Sequence, residues 1–455
     1  MDTALIIAVC LTQFMTSFMG SSLNVAVEAL ATDFAVQPQL VTWVINAFTV
    51  MTASFLLCSS AFAGHFGYRK TYSTALLLSA LSCFALVFCP NFMCMLLGRA
   101  LQGVVFSLIF CTSMAILVAN ISKEKRALGI GLATAAVYGG LSLSPVLAGF
   151  LIDLLSWRSV FVLAGCGLSL AFFLSLKIND SRTSGTELKF FDLALSFAGV
   201  MLILLSLSLL SYGSLIALSA LIGLFVFAYF LYRQSRQDNP LLPVGLMWRN
   251  HPLRWALVAS IFNYMANFSL TFLLSLHIQY VLGLSASMTG LLLIVQPFMM
   301  MTLSTLSGRL SAAIDVHILT LTGMTMIGFA FVMLHFMEPT TSLMYMMCAQ
   351  FICGVGFGLF SAPNTNIVMS SVTSDKYALV SALQALTRTG SQACSMAAAT
   401  WLLSHFIDAA AGTTLYIYEL SYTISFIFVV SAAAAFLGSG ACLLGFKSEQ
   451  RLQKA

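Results

Sequence analysis

Fourteen apolar stretches, among them 41–63, 255–280, 287–307 and 317–337, run through this 455-residue chain, and nearly every lysine and arginine falls in alternate gaps between them. Most of the stretches approach the roughly 20 residues that a helix needs to cross about 30 Å of hydrocarbon, where it satisfies its own backbone. Charged residues are 8% of the chain and hydrophobic ones 60%, so polar side chains are too few to cover a core in water. The chain reads as an all-α, polytopic membrane protein with lipid as its solvent.

The basic residues also set an orientation. With both termini cytoplasmic, Arg69, Lys70, Lys123, Lys125, Arg126, Arg233, Arg236, Arg309, Lys376, Arg388 and Lys447 all fall in inner gaps or at inner helix ends. Arg158 alone falls outside, and Arg99 lies within a predicted helix. The net charge of +5 therefore reflects topology, and nucleic acid is not an expected partner. The first stretch, predicted as one helix over 5–28, is long, lacks a basic leader and continues into the series, so no cleavable signal is expected. The expected location is a bacterial-type inner membrane, crossed many times.

Two polar breaks, at 178–191 and 233–253, divide the stretches into six, two and six. The reading is an N-terminal six-helix bundle over 1–178, a linker region with two extra transmembrane helices over 179–253, a C-terminal six-helix bundle over 254–446 and a cytoplasmic tail over 447–455. The outer blocks resemble each other. Ser122-Lys123-Glu124-Lys125-Arg126-Ala127-Leu128 recurs loosely as Ser374-Asp375-Lys376-Tyr377-Ala378-Leu379, and Gly67-Tyr68-Arg69-Lys70 falls where the second block has Gly308-Arg309-Leu310. An internal duplication at an offset of about 250 residues is how many secondary transporters build a central site open to alternate sides.

In the fifth stretch, Gly140-Leu141-Ser142-Leu143-Ser144-Pro145-Val146-Leu147-Ala148-Gly149 alternates small residues around a proline. Small residues let helices approach closely, and Pro145 removes a backbone donor and bends the helix. In the fourth, Arg99-Ala100-Leu101-Gln102-Gly103 puts a guanidinium at a depth where insertion costs roughly 2.5–3.5 kcal/mol, so it should face the interior and have a partner.

These segments resemble G-x-x-x-G-P-x-x-G-G and R-x-x-Q-G, motifs of major facilitator superfamily transporters and specifically of their fourteen-helix drug:proton antiporter branch. The resemblance covers essentially the whole chain. It implies two six-helix bundles flanking two central helices, an exchange of protons for an amphipathic small molecule, no cofactor and no catalysis. It marks Gly140, Ser144, Pro145, Ala148 and Gly149 as the antiporter motif and links Arg99 to proton coupling; a purely structural arginine is the alternative reading. A monomer is expected.

The chain departs from the family in two places. Its loop between the second and third helices keeps Gly67, Arg69 and Lys70 as a candidate cytoplasmic gate, but Gly64 stands where the family has an aspartate, and the two basic residues read equally as topology anchors. In the first helix, Met19 replaces the family's aspartate and Glu28 takes the place of its proline. Glu28 thereby becomes the best candidate carboxylate for proton binding, paired in this reading with Arg99. At about 24 residues into its helix it reads equally as an interfacial side chain.

Polar residues on otherwise apolar helices outline a candidate substrate cavity: Gln13, Asn24 and Gln102 in the first block, and Asn263, Asn267, Gln296, Asn364 and Arg388 in the second. Such residues also serve as interhelical hydrogen-bonding glue. With 37 Phe and 23 Met in the chain, the rest of the wall is expected to be soft and aromatic, suited to varied amphipathic cargo. The eleven cysteines read as small apolar packing residues, and no metal cluster, phosphate loop or catalytic triad is evident. A facilitator or symporter on the same scaffold is the first alternative; a non-transporting receptor or lipid-handling protein is the second.

Overall fold

Each apolar stretch folds into helix, and the interruptions fall where the local sequence weakens it. The computed structural model describes residues 2–454 apart from 121–125, 179–187, 210–213, 238, 239, 243, 312, 313, 373–376 and 410–412. Among the described residues the first half comprises α1 (Asp2–Ser21), α2 (Val27–Asp33), α3 (Pro38–Phe66), α4 (Tyr68–Val87), α5 (Phe92–Asn120), α6 (Arg126–Leu154) and α7 (Trp157–Ser175). Next come α8 (Phe190–Leu209), α9 (Ser214–Ser235) and the short α10 (Val244–Arg249). The rest is α11 (His251–Asn267), α12 (Leu270–Leu276), α13 (Ala286–Leu293), α14 (Val295–Leu310), α15 (Val316–His335), α16 (Leu343–Ser370), α17 (Tyr377–Phe406) and α18 (Thr414–Lys454).

Thirteen spans among the described residues are long and apolar enough to cross a membrane. The chain is thus an all-helical polytopic membrane protein. α17, at 30 residues, has the length as well, and its first half carries Gln384 and Arg388. Helix starts follow ordinary capping chemistry: Pro38 opens α3, and the side chains of Asn250, Asp315 and Ser342 accept backbone N–H groups at the starts of α11, α15 and α16.

Three expected single helices are broken, the one over 287–307 at Ile294, which separates α13 from α14. The helix predicted over 5–28 ends at Ser21, passes through a tight turn at Ser22–Asn24 and resumes as α2. Gly20, Ser21, Ser22 and Asn24 explain this, because glycine lowers helix propensity and short polar side chains compete for the backbone. The predicted span over 255–280 divides at Phe268–Ser269 and ends in a single π turn, His277–Val281, before Gly283 with φ +65°. All eleven cysteines are free thiols.

The chain forms two compact units: residues 1–230 with 284–291, and residues 231–283 with 292–455. In the first, α1 lies on α6 and α7, α4 on α5 and α7, and α3 on α5. α8 runs along α3, with Cys58 Sγ donating to the Leu193 carbonyl, Phe55 edge-on to Phe197, and Asn46 Nδ2 donating to Ser208 Oγ at 2.7 Å. In the second unit, α11 lies on α16, α17 and α18, and α16 on α14 and α15. The run Gly354-Val355-Gly356-Phe357-Gly358 forms those last contacts: a Cβ at Gly354 would come 2.5 Å from the Gln296 carbonyl oxygen of α14, and one at Gly356 2.6 Å from the Gly323 carbonyl oxygen of α15.

Candidate functional site

Arg99 is 1% exposed, the largest fully buried side chain among the described residues. Its Nε donates to the Val44 carbonyl of α3 at 3.3 Å, and its Nη1 donates to Gln102 Oε1, one turn along α5. The guanidinium lies over the Phe48 ring at 4.2 Å, a cation–π contact strengthened by burial. Gln102 in turn donates to Cys83 Sγ at 3.2 Å and Ser82 Oγ at 3.4 Å on α4. Arg99 thus ties α3, α4 and α5 together through neutral acceptors and a ring face.

The small-residue segment of α6 presents two faces. On one, a Cβ at Gly140 would lie 2.5 Å from the Phe14 carbonyl oxygen and 3.0 Å from Ser17 Cβ, Ser144 Oγ donates to the Phe18 carbonyl at 2.9 Å, and Ala148 is fully buried. These residues recur every fourth position and seat α6 on α1. On the other face, Pro145 and Gly149 meet α13: a Cβ at Gly149 would come 2.9 Å from the Ala286 carbonyl carbon, and one at Gly290 2.6 Å from the Pro145 carbonyl carbon. Ser144 and Ala148, where the family pattern has glycines, therefore both face into tight packing.

Asp153, four residues beyond Gly149 on the same face, accepts the Ser287 N–H at 2.8 Å and also the Ser287 hydroxyl. Nearby, Asp33 Oδ2 accepts from Trp157 Nε1 and Arg158 Nη1, both at 2.9 Å, with Arg158 stacked over Trp157, so the end of α2 is clamped to the start of α7. Glu28 lies in the first turn of α2, exposed at its tip and outside the membrane-spanning segments. Partial desolvation first, and then the Asp153 charge, raise its pKa above the ordinary glutamate value. The structure places Arg99 and Glu28 in different surroundings, Arg99 deep among α3–α5 and Glu28 beside Asp153.

The sign of that shift gives a prediction. A raised carboxyl pKa means this arrangement binds a proton more tightly than an unfolded chain does, so its contribution to stability is lost as pH rises from the ordinary glutamate range through the raised value. Infrared difference titration of the carboxyl band, assigned as the component missing in Glu28→Gln, should give a midpoint above the usual glutamate range. Asp153→Asn should lower that midpoint without fully restoring the ordinary value, because desolvation, the larger cause, remains. A Glu28 midpoint unmoved by Asp153→Asn would remove Asp153 from this account.

Other candidate residues divide by surroundings. Gln13 and Asn24 are each 8% exposed on the first-helix segments. In the second unit, Asn267 Oδ1 accepts from Gln296 Nε2 at 3.3 Å and Cys353 Sγ at 3.1 Å, Asn263 Nδ2 points to Met324 Sδ at 3.2 Å, and Asn364 Nδ2 donates to Ser260 Oγ at 2.7 Å. These four amides join neighbouring helices. Arg388 is half-buried on α17. At the expected cytoplasmic loop, Gly67 ends α3 with φ +93°, a left-handed conformation that glycine adopts without penalty, while Arg69 Nη2 donates to the Leu176 carbonyl at 3.1 Å and Lys70 is exposed. Lys123, Lys125 and Lys376 lie outside the described residues. Asp153 and the Asp33 clamp are not among the sequence-derived candidates; the one local sign was the four-residue spacing of Pro145, Gly149 and Asp153.

The sequence profile of the Major Facilitator Superfamily matches residues 9–396. The chain belongs to this superfamily. Its superfamily relatives include the uncharacterized transporter YebQ of Escherichia coli K12, 26% identical over 86% of each chain. The multidrug export protein EmrB of the same organism is 24% identical over 87% of this chain and 79% of its own. The riboflavin transporter RibZ of Clostridioides difficile is 22% identical over 82% of this chain and 81% of its own. The fold aligns with the crystal structure of a POT family transporter in complex with a thioalcohol-conjugated peptide, with a TM-score of 0.72 over 96% of this chain and 94% of that one, at 12% identity. That likeness concerns the fold alone.

Proposed function

We propose that this transporter is a proton-driven exporter of amphipathic, drug-like molecules, belonging to the fourteen-helix antiporter branch and working by alternating access. The observation that carries the reading is the α6 segment from Gly140 to Gly149, whose motif residues seat α6 on α1 and α13 at backbone contact. The multidrug export protein EmrB and the multidrug resistance protein Stp among the relatives favour exported drugs as cargo. In this reading Glu28 and Arg99 take part in proton coupling, Arg69 and Lys70 anchor the cytoplasmic loop, and Gln13, Asn24 and the amides of the second unit contribute to the cavity. The domain plan is 1–178, 179–253 and 254–446, in the inner membrane with both termini cytoplasmic and the protein monomeric.

One proton moving down 100 mV supplies about 2.3 kcal/mol, enough for roughly fiftyfold accumulation of a neutral solute. Purified protein in proteoliposomes with an acid interior should accumulate ethidium while the lumen becomes less acid. Ethidium entry that is indifferent to the imposed gradient would replace antiport with facilitated diffusion. No protein-dependent flux would favour a receptor. The riboflavin transporter among the relatives keeps a second cargo class in view, planar aromatic solutes carried by the same scaffold, and riboflavin belongs in the same assay.

A further inference from the structure

The short helix α10 has no buried residue, although its sequence, Val244-Gly245-Leu246-Met247-Trp248-Arg249, is mostly apolar. Trp248 is 68% exposed. α10 ends at the corner where α11 begins, and the apolar span of α11 starts at His251, so the corner lies at the depth of lipid headgroups. Indole rings favour that level, with one side apolar and the other wet.

The corner is fixed from two directions. Asn250 Oδ1 accepts the Leu253 N–H at 3.0 Å, capping α11, and Asn250 Nδ2 donates to the carbonyl of Ser371, the residue that follows α16. Trp255 stands against α18, where a Cβ at Gly445 would lie 3.3 Å from Trp255 Cβ. On this frame the Arg254 guanidinium lies 5.4 Å from the Trp255 ring and 6.0 Å from the Trp248 ring, and its Nη2 donates to His251 Nδ1 at 2.9 Å. A guanidinium can only donate, so Nδ1 accepts and the ring proton sits on Nε2, which is left as a further donor. Arg249 is exposed beside them in the chain.

These cations have no counter-charge. The chain from Asn239 to Ile314 contains no Asp or Glu, and among the described residues none of Arg249, His251 and Arg254 makes an ion pair. Anchoring topology requires only charge that reaches water, as the exposed Arg236 does. It does not require a half-buried guanidinium flanked by two indoles at the edge of the hydrocarbon.

From this arrangement we infer that the α10–α11 corner binds the phosphate of an anionic phospholipid, with Arg249, Arg254 and His251 Nε2–H as its donors and Trp248 and Trp255 against the lipid's glycerol region. A guanidinium fork matches phosphate oxygens, and basic pockets beside membrane helices take such headgroups. The site concerns the lipid around the protein, not its cargo, so it does not depend on the exporter reading.

Native mass spectrometry of the purified full chain, titrated with phosphatidylglycerol or with phosphatidylcholine of the same acyl chains, reads the site without any transport step. The first phosphatidylglycerol should bind at least about fivefold more tightly than the first phosphatidylcholine, the factor that one basic residue contributes near an anionic surface. Arg254→Gln should abolish that preference. Trp248→Ala changes an exposed side chain without disturbing packing, and it should reduce the preference about twofold or more. Arg236→Gln deletes an equal charge just beyond α9 and should leave the preference unaltered. The inference is overturned if phosphatidylglycerol is not preferred, if the preference survives both Arg254→Gln and Trp248→Ala, or if Arg236→Gln lowers it as much as Arg254→Gln does, which would mean diffuse charge. Displacement of phosphatidylglycerol by millimolar inorganic phosphate would also overturn it, making the corner a site for free anions.

Discussion

Replacing Gly103 with leucine is expected to remove most of the folded protein from a detergent extract. Gly103 sits where α5 crosses α3, and a Cβ there would lie 3.1 Å from Met51 Cβ and 3.2 Å from the Phe48 carbonyl carbon. The obstacle is backbone, which cannot swing aside as a side-chain tip can. Thr52 bridges the crossing, its hydroxyl set between the Phe48 carbonyl at 2.7 Å and the Gly103 carbonyl at 3.1 Å, so forcing the helices apart also breaks that link. One turn earlier on α5, Arg99 reaches the Val44 carbonyl of α3 across the same interface. Overpacking alone costs about 1–3 kcal/mol, and adding an opened crossing brings the total to about 3 kcal/mol or more, a large share of a typical folding stability. Gly390→Ala on α17 is the control, because nothing lies within 4 Å of its absent Cβ. It should be neutral or stabilise by up to about 1 kcal/mol through helix propensity. Monodispersity on size-exclusion chromatography, followed by thermal unfolding, reads both. A Gly103→Leu protein as monodisperse and heat-stable as the unaltered chain would show that the crossing tolerates opening.

The contrast between those two glycines illustrates what the sequence made legible. Helix existence depends on hydropathy along the chain itself, so Pro38–Phe66 was expected over 41–63 and Val316–His335 over 317–337 without knowledge of any neighbour. Which glycine touches another backbone depends on crossings set by the whole fold, and Gly103 and Gly390 look alike in sequence. The break after Ser21 shows an intermediate case: its polar and glycine residues are local, but apolar context favoured one continuous helix. Least legible were the acids near the ends of α2 and α6. Asp33 meets Arg158 across 125 positions and Asp153 meets Ser287 across 134, and no local pattern encodes such pairings. The depth of Arg99 was readable from its insertion cost, whereas its partners were not, since a carbonyl, an amide and a ring face can substitute for a carboxylate only in a particular packing.

That packing bears on the second large effect, expected for Arg99→Met. A buried charge carries a desolvation cost that a methionine of similar length does not, so removing it relieves one penalty while creating another. The new penalty is specific: Gln102 Oε1 loses its donor, worth about 1–3 kcal/mol for a buried acceptor left unpaired. These terms oppose each other, and the variant should remain folded, with thermal stability changed by no more than about 2 kcal/mol. Gradient-driven ethidium accumulation should nevertheless fall at least about tenfold, because a residue kept at this depth only for stability would be replaceable by an apolar one at little loss. Arg99→Lys sharpens the test. Lysine keeps the charge but loses the planar fork that bonds the Val44 carbonyl and Gln102 together while stacking on Phe48. If charge alone matters to coupling, lysine should restore most of the flux, and if the fork's geometry matters, flux should stay low in a folded protein. A folded Arg99→Met that accumulates ethidium as steeply as the unaltered chain would leave Arg99 as a brace among α3, α4 and α5, and proton coupling would have to be sought at the acids near the ends of α2 and α6.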